Sequence, residues 1–166
     1  MTTTEPPSEP NDVLYRIQRG LAGYVSYLAA CEMNKAFSEY ILYEPMLRIL
    51  ATQRYTVECE YAPTAWRTGQ RGDHKRIDFY ATRDALKFAI EVKWAKTANL
   101  NVKSDFLKLD AFHKLEPDSK SFLCVFGKMS NIQSIQLIGG NFKEARKPVY
   151  ADLKKTKFGC RIYEIQ

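Results

Sequence analysis

A chain of 166 residues is long enough to bury a core of its own, and one domain is expected. Its composition, 45% apolar, 27% charged and 13% aromatic, argues against a largely disordered polypeptide. The formal net charge of +6 suits a polyanionic partner but equally a plainly basic surface, so charge alone identifies no partner.

The N-terminal stretch, rich in Thr, Pro and Glu, is expected to be a disordered tail over residues 1–11, with a single domain over 12–166. It lacks the basic-then-apolar order of a signal peptide. The longest uncharged run, Gly20 to Cys31, is too short to span a bilayer, so no membrane association is expected. Cys31, Cys59, Cys124 and Cys160 are isolated, with no Cys-x-x-Cys, which argues against a zinc site and suits a reducing cytoplasm. Cys59 and Cys124 fall in apolar runs and are expected to be buried thiols.

Asn11-Asp12 can cap a helix over 12–34, where Leu14, Ile17, Leu21, Val25 and Leu28 recur at helical spacing. Gly20 and Gly23 would allow close packing on one face. A second helical stretch covers 37–53, and Pro45 either kinks it or sits in the first turn of a new helix. Three strands are expected next, over 55–61, 76–81 and 86–94. A polar loop, 63–75, follows the first, and 82–85 closes a hairpin between the other two. Helical spacing returns over 102–115 with Phe106, Leu109 and Phe112 inward. Residues 121–126 form a compact apolar strand expected at the centre of a sheet. Weaker strands are expected at 134–138 and 161–165, with a turn at Gly139-Gly140. Helices and strands in this order imply an α/β fold, a mixed central sheet flanked by helices.

Side chains alternate faces along a strand. In 86–94 the apolar face holds Leu86, Phe88, Ile90, Val92 and Trp94, and the other holds Lys87, Ala89, Glu91 and Lys93. In 76–81, Ile77, Phe79 and Ala81 share a face and leave Asp78 on the side of Glu91 and Lys93. A turn centred on Arg83-Asp84 sets Asp78 opposite Ala89, with Glu91 diagonal to it. A bulge or a longer loop would set the two acids directly opposite. Two carboxylates and an ammonium can thus converge. Carboxylate oxygens suit Mg²⁺, and a neighbouring lysine can orient water or stabilise charge on a phosphate. Read alone, Glu91 and Lys93 are equally a solvated strand face.

Asp78, twelve intervening residues and Glu91-Val92-Lys93, followed by the helix around Asp105 to Leu109 and the strand Phe122 to Phe126, resemble the PD-(D/E)XK nuclease superfamily. The resemblance covers about residues 37–127. It implies a restriction-endonuclease-like core, helix-strand-strand-strand-helix-strand, and an Mg²⁺-dependent nuclease, with Mn²⁺ able to substitute. Asp78, Glu91 and the Val92 carbonyl would hold the metal, and Lys93 would position or activate water. Glu44, on the first core helix, would hold the lysine or a second water, with Glu39 the weaker candidate. DNA is expected over RNA, the activity expected is that of an endodeoxyribonuclease, and a homodimer is possible. Arg71, Lys75 and Arg76, and the tail lysines Lys154, Lys155 and Lys157, are candidate phosphate contacts. Ile77 stands where the family often has proline. Lys108 faces the Lys93 side if its helix packs as drawn, but reads first as an exposed lysine. His74 reads as a loop residue, and His113 as a helix-face histidine. The rival reading is a non-catalytic nucleic-acid- or protein-binding module that keeps the fold.

Overall fold

The computed structural model describes residues 10–66 and 75–166. The expected tail and the candidates Arg71 and His74 lie outside the described residues, apart from the start of the first helix. That helix, α1 (Pro10–Ala30), places Val13, Ile17, Leu21, Val25 and Leu28 in the core. Each such side chain, fully buried, stabilises the fold by about 1.5–3 kcal/mol. The helix stops at Ala30 rather than 34 because Glu32 turns left-handed, with φ at 62°. The Met33 and Glu32 amides then bond back to the Leu28 and Ala29 carbonyls and satisfy the helix end.

A tight helical turn, Glu39–Leu42, runs directly into α2 (Tyr43–Thr52). Pro45 lies in the first turn of α2, where its missing amide costs nothing. Gly20 of α1 meets Ile49 of α2, since a Cβ there would come within 2.7 Å of Ile49 Cδ1. Gly23 faces open space and has no such role.

Strands β1 (Thr56–Tyr61), β2 (Ile77–Arg83) and β3 (Leu86–Ala95) form an antiparallel meander. The short strand β4 (Asn99–Asn101) and helix α3 (Lys103–Leu115) carry the chain to β5 (Lys120–Lys128), which pairs parallel to β3. After the short helix α4 (Met129–Ile132), β6 (Gln136–Ile138) leaves the main sheet and pairs with β4. Strands β7 (Phe142–Glu144) and β8 (Val149–Ala151) both pair with β9 (Phe158–Ile165), which lies antiparallel to β5. The strand order β1-β2-β3-β5-β9-β7 makes a mixed sheet with helices on both faces. No helix among the described residues is long and apolar enough to cross a membrane.

One face packs under α1 and α2, through Phe79, Phe88, Ile90, Phe122 and Ile162. The other packs under α3, through Ala89, Leu109, Phe112, Leu123 and Val125. The face carrying Glu91 is therefore covered rather than solvated. Two expectations change with it. Ile77 joins the α3-side core rather than the core of Phe79. Phe106 is only half-buried, against Phe142 at 5.4 Å, while Asp105 takes the inward place. Cys124 is buried as expected, but Cys59 is exposed because β1 is an edge strand.

Gly127 pairs with Ala95, and a Cβ on it would lie 2.8 Å from the Ala95 carbonyl oxygen. Gly127→Ala should cost about 1–3 kcal/mol, because a strand backbone cannot yield as a side-chain tip can. Urea unfolding should show a lower midpoint at an unchanged slope.

Candidate active site

The site begins where the β2–β3 ladder stops. The pairing runs from Arg83↔Leu86 at the turn to Phe79↔Ile90. The turn is Asp84-Ala85, with Asp84 left-handed at φ 52°, so it lies one residue beyond the expected centre. That shift moves Asp78 from Ala89 to the position opposite Glu91, without a bulge.

Beyond Phe79 and Ile90 the strands part, and carboxylates replace the missing ladder bonds. The Asp78 amide donates to Glu91 Oε1 (3.2 Å), and the Val92 amide donates to Asp78 Oδ2 (2.8 Å). One residue pair further along, the Trp94 amide donates to Glu39 Oε1 (3.2 Å). Buried strand amides must find acceptors, and here acidic side chains supply them. On the β1 side the ladder also skips the Glu60–Asp78 pair, where Glu60 is left-handed at φ 52°. The Tyr43 hydroxyl donates to Glu60 Oε1 (3.0 Å) and also interacts with Asp78.

This fork opens into a cavity of about 470 Å³. Glu39, Tyr40 and Tyr43 form one wall, and Ser104, Asp105 and Lys108 of α3 form the other. Lys75 and Arg76 line it beside β2 and are exposed. Five carboxylates and four cationic groups line the cavity among the described residues, so the chain's basic excess lies elsewhere.

Each of two lysines is held by acids. Lys93 Nζ lies 3.1 Å from Asp105 Oδ1 and 3.9 Å from Glu39 Oε1. Lys108 Nζ lies 2.5 Å from Glu91 Oε2. Burial, then the charge of Asp78, pushes the Glu91 carboxyl up to about 8 against the pull of Lys108. Burial also raises Asp78, partly offset by the Val92 amide and by Lys108. Burial alone would lower the Lys93 ammonium, but Asp105 and then Glu39 outweigh it and raise it. Burial beside Asp78 and Glu60 raises the Tyr43 hydroxyl, which stays a neutral donor.

The structure thus brings Asp78, Glu91, Val92 and Lys93 to one cavity, with Lys75 and Arg76 at its edge. It does not bring Glu44 there. That residue is exposed on α2 and pairs with Arg48, because Pro45 restarts the helix with Glu44 on its outer side. Glu39, on the preceding turn, occupies the cavity instead. Lys154 and Lys157 pair with Glu32 and Asp152, and all three tail lysines lie exposed away from the cavity. His113 is exposed, its Nδ1 3.1 Å from the Ser119 carbonyl oxygen. Sequence reasoning missed Asp105. Its signal was its place four residues before Leu109 and seven before Phe112, on their helix face.

Among the described residues no three acid, thiol or imidazole groups converge as a metal cage. The chain matches no family model, and no curated protein or solved structure matches it.

Proposed function

We propose that the protein is a divalent-metal-dependent nuclease, a hydrolase of nucleic-acid phosphodiesters. The observation that carries this reading is the meeting of Asp78 and Glu91 across the β2–β3 fork, with Lys93 two residues on, at the wall of an open cavity. The order α2-β1-β2-β3-α3-β5, a meander followed by a strand parallel to its third member, supports a restriction-endonuclease-like core.

The donors fit Mg²⁺, which takes one or two carboxylates and completes its shell with water rather than needing an all-protein cage. One further acid oxygen, Asp105 Oδ2, is buried without a hydrogen-bond partner among the described residues. Asp78, Glu91 and the Val92 carbonyl would hold the ion, which when bound would polarise a water and offset phosphate charge. Lys93, kept cationic by Asp105 and Glu39, stabilises charge developing on the phosphate rather than accepting a proton. Tyr43 fixes Asp78 by hydrogen bonding, and Lys75 and Arg76 take flanking phosphates.

The test is a cleavage panel of duplex, single-stranded and branched DNA and RNA, with Mg²⁺ and with EDTA. DNA, the substrate class of the superfamily the motif resembles, is expected to be cut only with metal. Lys93→Ala should lower the single-turnover rate by about a hundredfold or more. Lys93→Arg should not restore it, because a planar guanidinium does not fit the clamp built for a compact ammonium. Binding without cleavage of any substrate would mark a binding module instead.

A further inference from the structure

Among the described residues both oxygens of Glu91 already have partners. Its side chain is 2% exposed, Oε1 is taken by the Asp78 amide, and Oε2 is taken by Lys108. An ammonium 2.5 Å from Oε2 crowds the approach to that oxygen and repels a second cation there. The two lysines differ in how they are held. Lys93 has two acidic partners, neither of them in the proposed metal set. Among the described residues Lys108 has one ion-pair partner, Glu91, and the other acid it attracts, Asp78, is a proposed ligand as well.

We infer that Lys108 is an exchangeable counter-ion for the Asp78–Glu91 pair, and that a divalent cation entering the fork displaces its ammonium into the cavity. This rests on the metal-dependent reading above. A buried carboxylate pair with no cation would be costly. Lys108 keeps the pair charge-compensated while no metal is bound, so loading exchanges one cation for another. Its side chain is suited to the move, with a flexible four-carbon stem, and is 20% exposed on the cavity wall. Once released it adds a second mobile positive charge beside the fixed Lys93, available to a phosphate group. Lys93 stays in place because Asp105 and Glu39 remain where they are.

The exchange can be read on the unmodified protein by reductive methylation of lysines, followed by peptide mass spectrometry, at constant ionic strength. Without metal, Lys108 should react about tenfold or more slowly than Lys114, whose side chain is 72% exposed in its ion pair with Asp110, a factor equivalent to about 1.4 kcal/mol of extra protection. Mg²⁺ should bring the Lys108 rate close to that of Lys114 and leave Lys93 slow. A thermal melt in the same buffers separates the two levels of the argument. If Mg²⁺ raises the melting temperature but leaves Lys108 as slow as before, the exchange is wrong and the metal reading stands. If Mg²⁺ produces no shift in melting, both fall together.

Discussion

Asp78→Asn will make the metal-free protein more stable while it removes activity. Asparagine keeps an oxygen for the Val92 amide, so the bond at the fork survives. At the alkaline end of the pH range, where Glu91 is ionised as well, it removes one of two buried like charges, which Lys108 only partly offsets. A relief of about 1 kcal/mol would raise the melting temperature by roughly 2–4 °C in a domain of this size. Cleavage should fall by about 10²–10³-fold or more, the scale of losing one charge-stabilising group. The stabilisation by Mg²⁺ should vanish as well, a loss of about 2.7 kcal/mol at a hundredfold excess over Kd. The three readings together are diagnostic. A residue needed only for folding would lose stability, and a bystander would lose nothing. An equal Mg²⁺ shift in wild type and variant would remove Asp78 from the ligand set.

The metal-free protein should lose stability as pH rises from about 5 to about 8, against the usual behaviour of paired carboxylates. Glu91 is raised in the folded state to about 8 and falls back to the ordinary value for glutamate when the chain unfolds. Between those two values the folded protein holds a proton that the unfolded chain releases. Stability then declines by up to about 1.4 kcal/mol per pH unit. Asp78, also raised, acts in the same direction. Lys93, also raised, has the same sign of linkage but a different window, since its contribution is fully present below the ordinary lysine value and is lost only at higher pH. It does not oppose the decline. Urea midpoints across this range in EDTA should therefore fall, and Glu91→Gln should flatten the profile. Mg²⁺ should oppose the fall most strongly at the alkaline end, where the carboxylates are free of protons. A metal-free profile that rises across the range would contradict the buried-pair electrostatics.

Alternation along two strands was enough to place Asp78, Glu91 and Lys93 together, because period two is enforced by the pleat. The pairing of Asp78 with Glu91 was not legible. It depends on whether the turn is Arg83-Asp84 or Asp84-Ala85, and no glycine marks the choice: Asp84 itself takes the left-handed position. Glu39 and Glu44 were separable only by the helix phase, which Pro45 resets. Asp105 and Lys108 depend on how α3 lies across the sheet, a tertiary fact that helical spacing does not contain. The long apolar strand β5 was plain, as a strand buried on both faces should be. Strands β4, β7 and β8, each three residues long, carry too few side chains to show a period.

The Asp84-Ala85 turn sits at the opposite end of the hairpin from the fork, six residues from Asp78 and therefore about 20 Å away along the strand. Even so, it is the turn that aligns the two acids. The hairpin works like a slide rule, with its zero set at the tip and its reading taken at the fork. One residue added to the tip would slide β2 along β3. Either the apolar faces of the two strands would fall out of phase, or the acids would miss each other. Most of the cavity would be untouched by such a change, yet its acid pair would no longer meet. Distance from the acid pair is thus no measure of tolerance in this protein, and an insertion at its exposed hairpin tip, ordinarily the most permissive kind of position, would act on the candidate site directly.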